Sequence, residues 1–146
     1  SLNDNKHHEI RTIINHLTEN TKSYQLIKSV LEDSAKAAYQ GKIFVDSDAQ
    51  KTDGYQLSKA ILLNKDSEFN AKPELEIYAD DVKCSHGSAS GSLNEDSIFY
   101  LMSRGLNYQQ SRELLINGFL LDVVEKITDP EIKNLIKNLI GIKEWI

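Results

Sequence analysis

The chain of 146 residues holds a single cysteine, Cys84. That excludes a disulfide framework and any metal site needing several thiolates from this chain alone. Iron–sulfur clusters are usually held by four protein ligands, mostly thiolates, so a conventional cluster here would need a second subunit. Long hydrophobic runs are missing too. The longest covers residues 98–102, far short of the roughly 20 residues that span a bilayer. Lys6, Glu9 and Arg11 interrupt any apolar start of the secretory type. There is no basic run, and 17 Lys and Arg stand against 22 Asp and Glu, a net charge of −5. Such a chain is poorly suited to nucleic acid. No Walker-type phosphate loop, G-x-S-x-G or H-E-x-x-H occurs, so P-loop, nucleophile-elbow and zincin chemistry find no support. What is present is a sequence 40% hydrophobic and 27% charged, long enough to bury a core without disulfides. A reducing, cytoplasmic setting fits its cysteine usage.

Residues 1–90 and 91–146 read differently. In the first part, Tyr24–Leu31, Lys42–Val45, Gln56–Leu63 and Leu75–Tyr78 carry β-branched and aromatic residues between polar breaks. Those breaks hold turn formers, such as Glu32-Asp33-Ser34 and Asn64-Lys65-Asp66. Tight hairpin signals are lacking; Asp53-Gly54 is the one candidate, and no clear strand leads into it. An internal echo runs through this part. Val30–Ala37 resembles Leu62–Phe69, and Lys42–Val45 answers Glu74–Tyr78, at an offset of about 32–34 residues. A β-solenoid with two or more strands per coil produces such an offset; a sandwich or an open sheet remains an alternative.

The second part predicts three helices. Ser92-Leu93-Asn94-Glu95 reads as a capping box, and Gly105 suits the left-handed end of the helix that follows. Asn107 with Gln110 caps the next, whose apolar residues from Leu114 to Ile127 cover most of its surface, as in a helix packed on more than one side. Asp129-Pro130-Glu131 opens a third, with Ile132, Leu135, Ile136, Leu139 and Ile140 in one stripe and Gly141 at its end. Trp145 and Ile146 close the chain. The excess of apolar surface on the last two helices hints at a partner.

Cys84 and His86 are the first candidates for chemistry. They precede a Gly87-Ser88-Ala89-Ser90-Gly91 segment that reads as flexible. If the stretch is extended, the two side chains share a face, where they could ligate one soft metal ion or form a nucleophile–base pair. A buried cysteine beside a histidine bonded to backbone explains the spacing equally well. Asp80-Asp81 could serve as general acid and base in a solenoid hydrolase. An acidic turn closing a strand is the plainer account, since adjacent residues on an extended chain face opposite ways. His7, His8 and His16 are expected at the surface.

Lys83-Cys84-Ser85-His86-Gly87, followed by Phe99-Tyr100-Leu101-x-Ser103-Arg104-Gly105, resembles the C-terminal part of the SufB/SufD family. Lys72-Pro73-x-Leu75-Glu76-Ile77, Ala79-Asp80-Asp81-Val82 and Leu114-Leu115-Ile116-x-Gly118-Phe119 support the resemblance, in the right order and spacing. It implies a right-handed parallel β-helix over 1–90, truncated at its N-terminal side, followed by an α-helical domain over 91–146. It also implies a non-enzymatic scaffold for iron–sulfur cluster assembly, paired with a SufB-like subunit through the β-helix; a purely structural adaptor, whose helices bind a partner without iron chemistry, is an alternative beside the solenoid hydrolase. A SufC-like ABC ATPase would dock on the helical segment that includes Phe99, Arg104 and Phe119. SufB-like chains carry a cysteine in the strand matching Gln56–Leu63 and a glutamate after the histidine; here Leu57 or a neighbour and Gly87 stand there. The motif is therefore SufD-like. His86, with Cys84 beside it, is then implicated in cluster formation, or in iron uptake, at the SufB interface. The cluster is transient and shared with that partner, and none is expected on this chain alone. Family members are usually more than twice as long, so the chain reads as a C-terminal fragment whose open coil end invites self-association.

Overall fold

A strand with one buried face shows every second residue to the interior. Lys36–Val45 does so without interruption: Ala37, Tyr39, Gly41, Ile43 and Val45 are buried, and the residues between them are half-buried. This strand is β3 of a computed structural model that describes residues 1–141. The others are β1 His7–His16, β2 Lys22–Leu31, β4 Asp53–Leu62, β5 Glu68–Ile77 and β6 Lys83–Gly91. Three helices follow, α1 Glu95–Ser103, α2 Tyr108–Val124 and α3 Pro130–Leu139. Trp145 and Ile146 lie outside the described residues. The segment Leu2–Ser90 forms one compact unit, and Gly91–Ile146 belongs to a second. Among the described residues no helix is long and apolar enough to cross a membrane.

The strands make two three-stranded sheets, ordered β1-β3-β5 and β2-β4-β6, so each strand pairs with the second one along the chain. β1 with β3, β3 with β5, and β2 with β4 pair in parallel, and among the described residues no barrel closes. The pairing explains the internal echo and corrects its spacing. Lys42 pairs with Glu74, an offset of 32, whereas Val30 pairs with Ile61, an offset of 31. The turn after β4 carries one residue more than the turn after β2, so a single alignment cannot fit both halves.

Several sequence expectations change. β1 was not anticipated, and β3 and β5 begin six and seven residues before the predicted runs. Pro73 sits inside β5, where it is tolerated because β5 is an edge strand with one side unpaired. Asp53-Gly54 is no hairpin turn; it opens β4. The Gly87–Gly91 segment is not a loop but the second half of β6.

Two apolar clusters flank the interior between the sheets. One gathers Ile43, Val45, Ala49 and Ala79; the other gathers Leu31, Ala35 and Ala37. Between them lies a polar layer. The Tyr39 hydroxyl donates to Gln25 Oε1 at 3.5 Å, Gln25 Nε2 to Gln56 Oε1 at 3.4 Å, and Gln56 Nε2 to the Gly41 carbonyl at 3.1 Å. Among the described residues no buried side-chain polar atom lacks a partner, so the layer avoids the penalty of unpaired groups. Gly41 makes the arrangement possible. A Cβ there would collide with the Tyr39 hydroxyl and stand 2.6 Å from its ring and 2.8 Å from Gln56 Oε1. Gly41→Ala is therefore expected to destabilise the chain by about 1–3 kcal/mol, the usual cost of overpacking. Urea unfolding checks this through a lower midpoint at constant slope. An unchanged midpoint would contradict the packing.

The helices carry their own stop and start signals. Asn94 caps α1, with its Oδ1 accepting from the Ser97 N–H at 2.7 Å. The predicted cap was Ser92, but β6 runs to Gly91, so the chain is still leaving the strand at that point. Gly105 has φ +100° and ends the turn after α1. Asn107 and Gln110 form the expected reciprocal capping box on α2. Asp129 caps α3, where Pro130 takes the first position and leaves no donor unpaired.

Candidate functional site

β6 lies at the end of its sheet, next to β4. The Lys83 N–H donates to the Thr52 carbonyl at 2.8 Å, and the Ser58 hydroxyl donates to Ser88 Oγ at 3.1 Å. Cys84 Sγ lies 3.3 Å from where a Gly54 Cβ would stand. The last two contacts share an offset of 30, which brings His86 alongside Gln56. Alternation then puts Cys84, His86 and Ser88 on the same face of β6 as Gly54, Gln56 and Ser58 on β4. Gln25, Gln56 and His86 form one column across the three strands. Gln25 and Gln56 are buried, whereas His86 is exposed because no further strand covers β6. His86 is the fourth of the nine residues of β6.

Cys84 differs from His86 although the two share a face. It is half-buried and packs against the cluster of Ile43, Val45, Ala49 and Ala79. Burial pushes its thiol pKa up, a hydrogen bond from the Gly54 backbone opposes this, and the nearby Asp53 charge adds to the rise. The raised pKa disfavours the free thiolate and so makes Cys84 a weak nucleophile in the absence of a metal. Among the described residues no three His, Cys, Asp or Glu side chains gather as a metal site would require. The donors on this chain do not complete a cluster site, and an exposed imidazole contributes one ligand at most.

Asp80 and Asp81 lie in the turn between β5 and β6, both exposed. Asp81 is engaged through its backbone, whose N–H donates to Gln50 Oε1 and whose carbonyl accepts from the Lys51 N–H. Its residue lines a cleft to which Asp80 does not contribute, so the pair does not share a catalytic cavity.

The three early histidines divide. His7 and His8 are exposed as expected. His16 is not; it is 3% exposed, with Nδ1 2.7 Å from Thr21 Oγ1 and Nε2 2.8 Å from Ser23 Oγ. Its position as the inward-facing last residue of the unanticipated β1 explains the error. Burial lowers its pKa below the ordinary value. Above about pH 6.5 the ring is neutral in folded and unfolded chains alike, and stability is whole. As the pH falls, the unfolded chain takes up the proton first, and stability is lost until the folded-state pKa is passed. The urea midpoint of the wild type should thus fall on acidification through this window, and His16→Gln should flatten the slope. Equal slopes would contradict the burial.

On the helices, Phe99 is 75% exposed and Arg104 is exposed, its guanidinium 5.3 Å from the centre of the Tyr100 ring. Phe119 is half-buried. The sequence had not singled out α3 as the most open face. Ile132, Leu135, Leu139 and Ile140 are 43% to 75% exposed, and only Ile136 of that stripe is half-buried. The i, i+3, i+7 spacing was legible, but not which face would lie bare.

The chain is also similar to known proteins. The family described as "SUF system FeS cluster assembly, SufBD core domain" matches residues 1–119. The chain is 39% identical to the iron–sulfur cluster assembly protein SufD of Escherichia coli K12, over 91% of this chain and 31% of that protein. It is 43% identical to an iron–sulfur cluster assembly SufBD family protein of Synechocystis, over 70% of this chain and 23% of the relative. It is 40% identical to the chloroplastic protein ABCI7 of Arabidopsis thaliana, over 80% of this chain and 25% of the relative. The chain thus spans a third or less of each of these relatives. A family match over most of the described residues, with relatives of this similarity, establishes that the chain belongs to the SufB/SufD family of the SUF system.

Proposed function

We propose that the chain is part of a SufD-like, non-catalytic scaffold subunit for iron–sulfur cluster assembly. The observation that carries the reading is His86, exposed on the uncovered edge strand and aligned with Gln25 and Gln56. A neutral imidazole is a ready iron ligand, and one held on a rigid strand is positioned before iron arrives. Because no three His, Cys, Asp or Glu side chains gather among the described residues, the remaining ligands come from another subunit. A SufB-like partner facing β6 supplies them, so the nascent cluster is a shared cargo and not a resident group of this chain. The two sheets are read as successive coils of a right-handed parallel β-helix over residues 1–90, with the helical residues 91–146 as a separate domain. Its bare α3 stripe, with Phe99 and Arg104 on α1 and Phe119 on α2, receives a SufC-like ABC ATPase. Similarity to proteins named SufD supports the branch, and the single thiol supports a reducing, cytoplasmic compartment.

The hydrolase alternative has no comparable support, since Asp80 and Asp81 do not line one cleft. Reconstitution tests the proposal. The full-length parent, a SufB-like subunit and the ATPase are supplied with iron and a sulfur source, with and without the parent. Bound iron and sulfide, and the visible absorption of the cluster, should be high with the parent and low without it. Equal yields would refute the scaffold role.

A further inference from the structure

The corners that lead into β2, β4 and β6 stack on one another and bring together charges that are some 30 residues apart in sequence. Lys22 pairs in register with Asp53, and the offset of β6 sets Lys83 beside Asp53 on its other side. One corner position earlier, the Lys51 N–H donates to the Asp81 carbonyl at 2.6 Å. Lys22, Lys51 and Lys83, with Asp53 and Asp81, line a cleft of about 340 Å³. That volume suits a small ligand.

These charges behave unlike those on the other sheet. Along β3 and β5, lysines and glutamates close their pairs: Lys36 with Glu68 at 3.0 Å, Lys72 with Glu74 at 3.2 Å, and Lys42 with Glu76. At the corner, opposite charges stand on adjacent strands at the same short spacing. Yet none of the three ammonium groups closes an ion pair among the described residues. The lysines come from separate turns of a stacked structure, so the sheet rather than one loop fixes their spacing.

We propose that this cleft binds a phosphate-type oxyanion that still carries a proton near neutral pH, namely free orthophosphate. The three ammonium groups supply charge-assisted donors to its oxygens. Asp53 and Asp81, which only accept when ionised, repel a bare oxyanion but take a hydrogen bond from a P–OH group. Orthophosphate carries that proton near neutral pH, whereas sulfate does not. The cleft therefore selects phosphate over sulfate, a discrimination that lysines alone would not give.

Titration of the isotopically labelled 146-residue chain with orthophosphate, at constant ionic strength and neutral pH, tests this by NMR. Saturable shifts are expected at the amides of Lys51, Asp53 and Lys83, with sulfate binding about tenfold or more weaker. A Lys51→Gln/Lys83→Gln double variant should lose about tenfold or more in phosphate affinity, with the Gln25 and Tyr39 amides unmoved as a sign of an intact fold. Asp81→Asn should bring sulfate affinity up toward that of phosphate. Glycerol 3-phosphate, mostly the dianion without a P–OH group at neutral pH, should bind more weakly than orthophosphate, and tighter binding would overturn the proposal. Linear shifts without saturation, equal response to sulfate in the wild type, or full affinity in the double variant would overturn the proposal.

Discussion

In the intact complex, a His86→Ala subunit is expected to leave iron and sulfide content lower by on the order of tenfold, with assembly and stability almost unchanged. The two halves of this result have separate causes. His86 is exposed on an edge strand, so its side chain contributes little packing, and truncation should stay within about 0.5 kcal/mol in urea unfolding. The loss of cluster follows from the missing imidazole at a site whose other ligands belong to the partner. Cys84→Ala provides the contrast. Its thiol packs against the cluster of Ile43 and Val45 as a small apolar group, so its removal should cost about 1 kcal/mol and leave the cluster content as it was. The reverse pattern, clusters lost with Cys84 and kept with His86, would transfer the ligand role to the cysteine.

The second large effect is expected on α3. Leu135 and Leu139 are 58% and 75% exposed, so Leu135→Asp/Leu139→Asp should fold as the wild type does. If the stripe receives the ATPase, two charges in the centre of the interface should weaken binding by on the order of a hundredfold or more, as hot-spot losses do. Removal of residues 107–146 should abolish pull-down of the ATPase altogether. Undiminished binding of either variant would refute the assignment of this face. ATP-driven movement of the partner could then bias the scaffold only through differential affinity for two arrangements of the complex.

The sequence foretold the parts of the fold whose residues are locally consistent. The β-branched and aromatic residues of Lys42–Val45 announced a strand, and Asn107 with Gln110 announced the start of α2. What it hid was set by neighbours. β6 is an edge strand of polar and small residues, and in β1 the residues Ile10, Thr12, Ile13 and Ile14 are set among His7, His8, Glu9 and Arg11; pairing with β4 and β3 makes them strands. Ser92 and Asn94 are both good caps, and the end of β6 decides between them. His86 was legible as a candidate through its motif, but its column with Gln25 and Gln56 was not, because register across three strands leaves no local mark. The lysine cleft was hidden for the same reason.

Affinity purification of the tagged full-length parent from its own cells, with its companions identified by mass spectrometry, tests the central claim most directly. A SufB-like subunit and an ABC-type ATPase in near-stoichiometric amounts are the expected companions. A parent that elutes alone, or with neither of them, would contradict the scaffold reading.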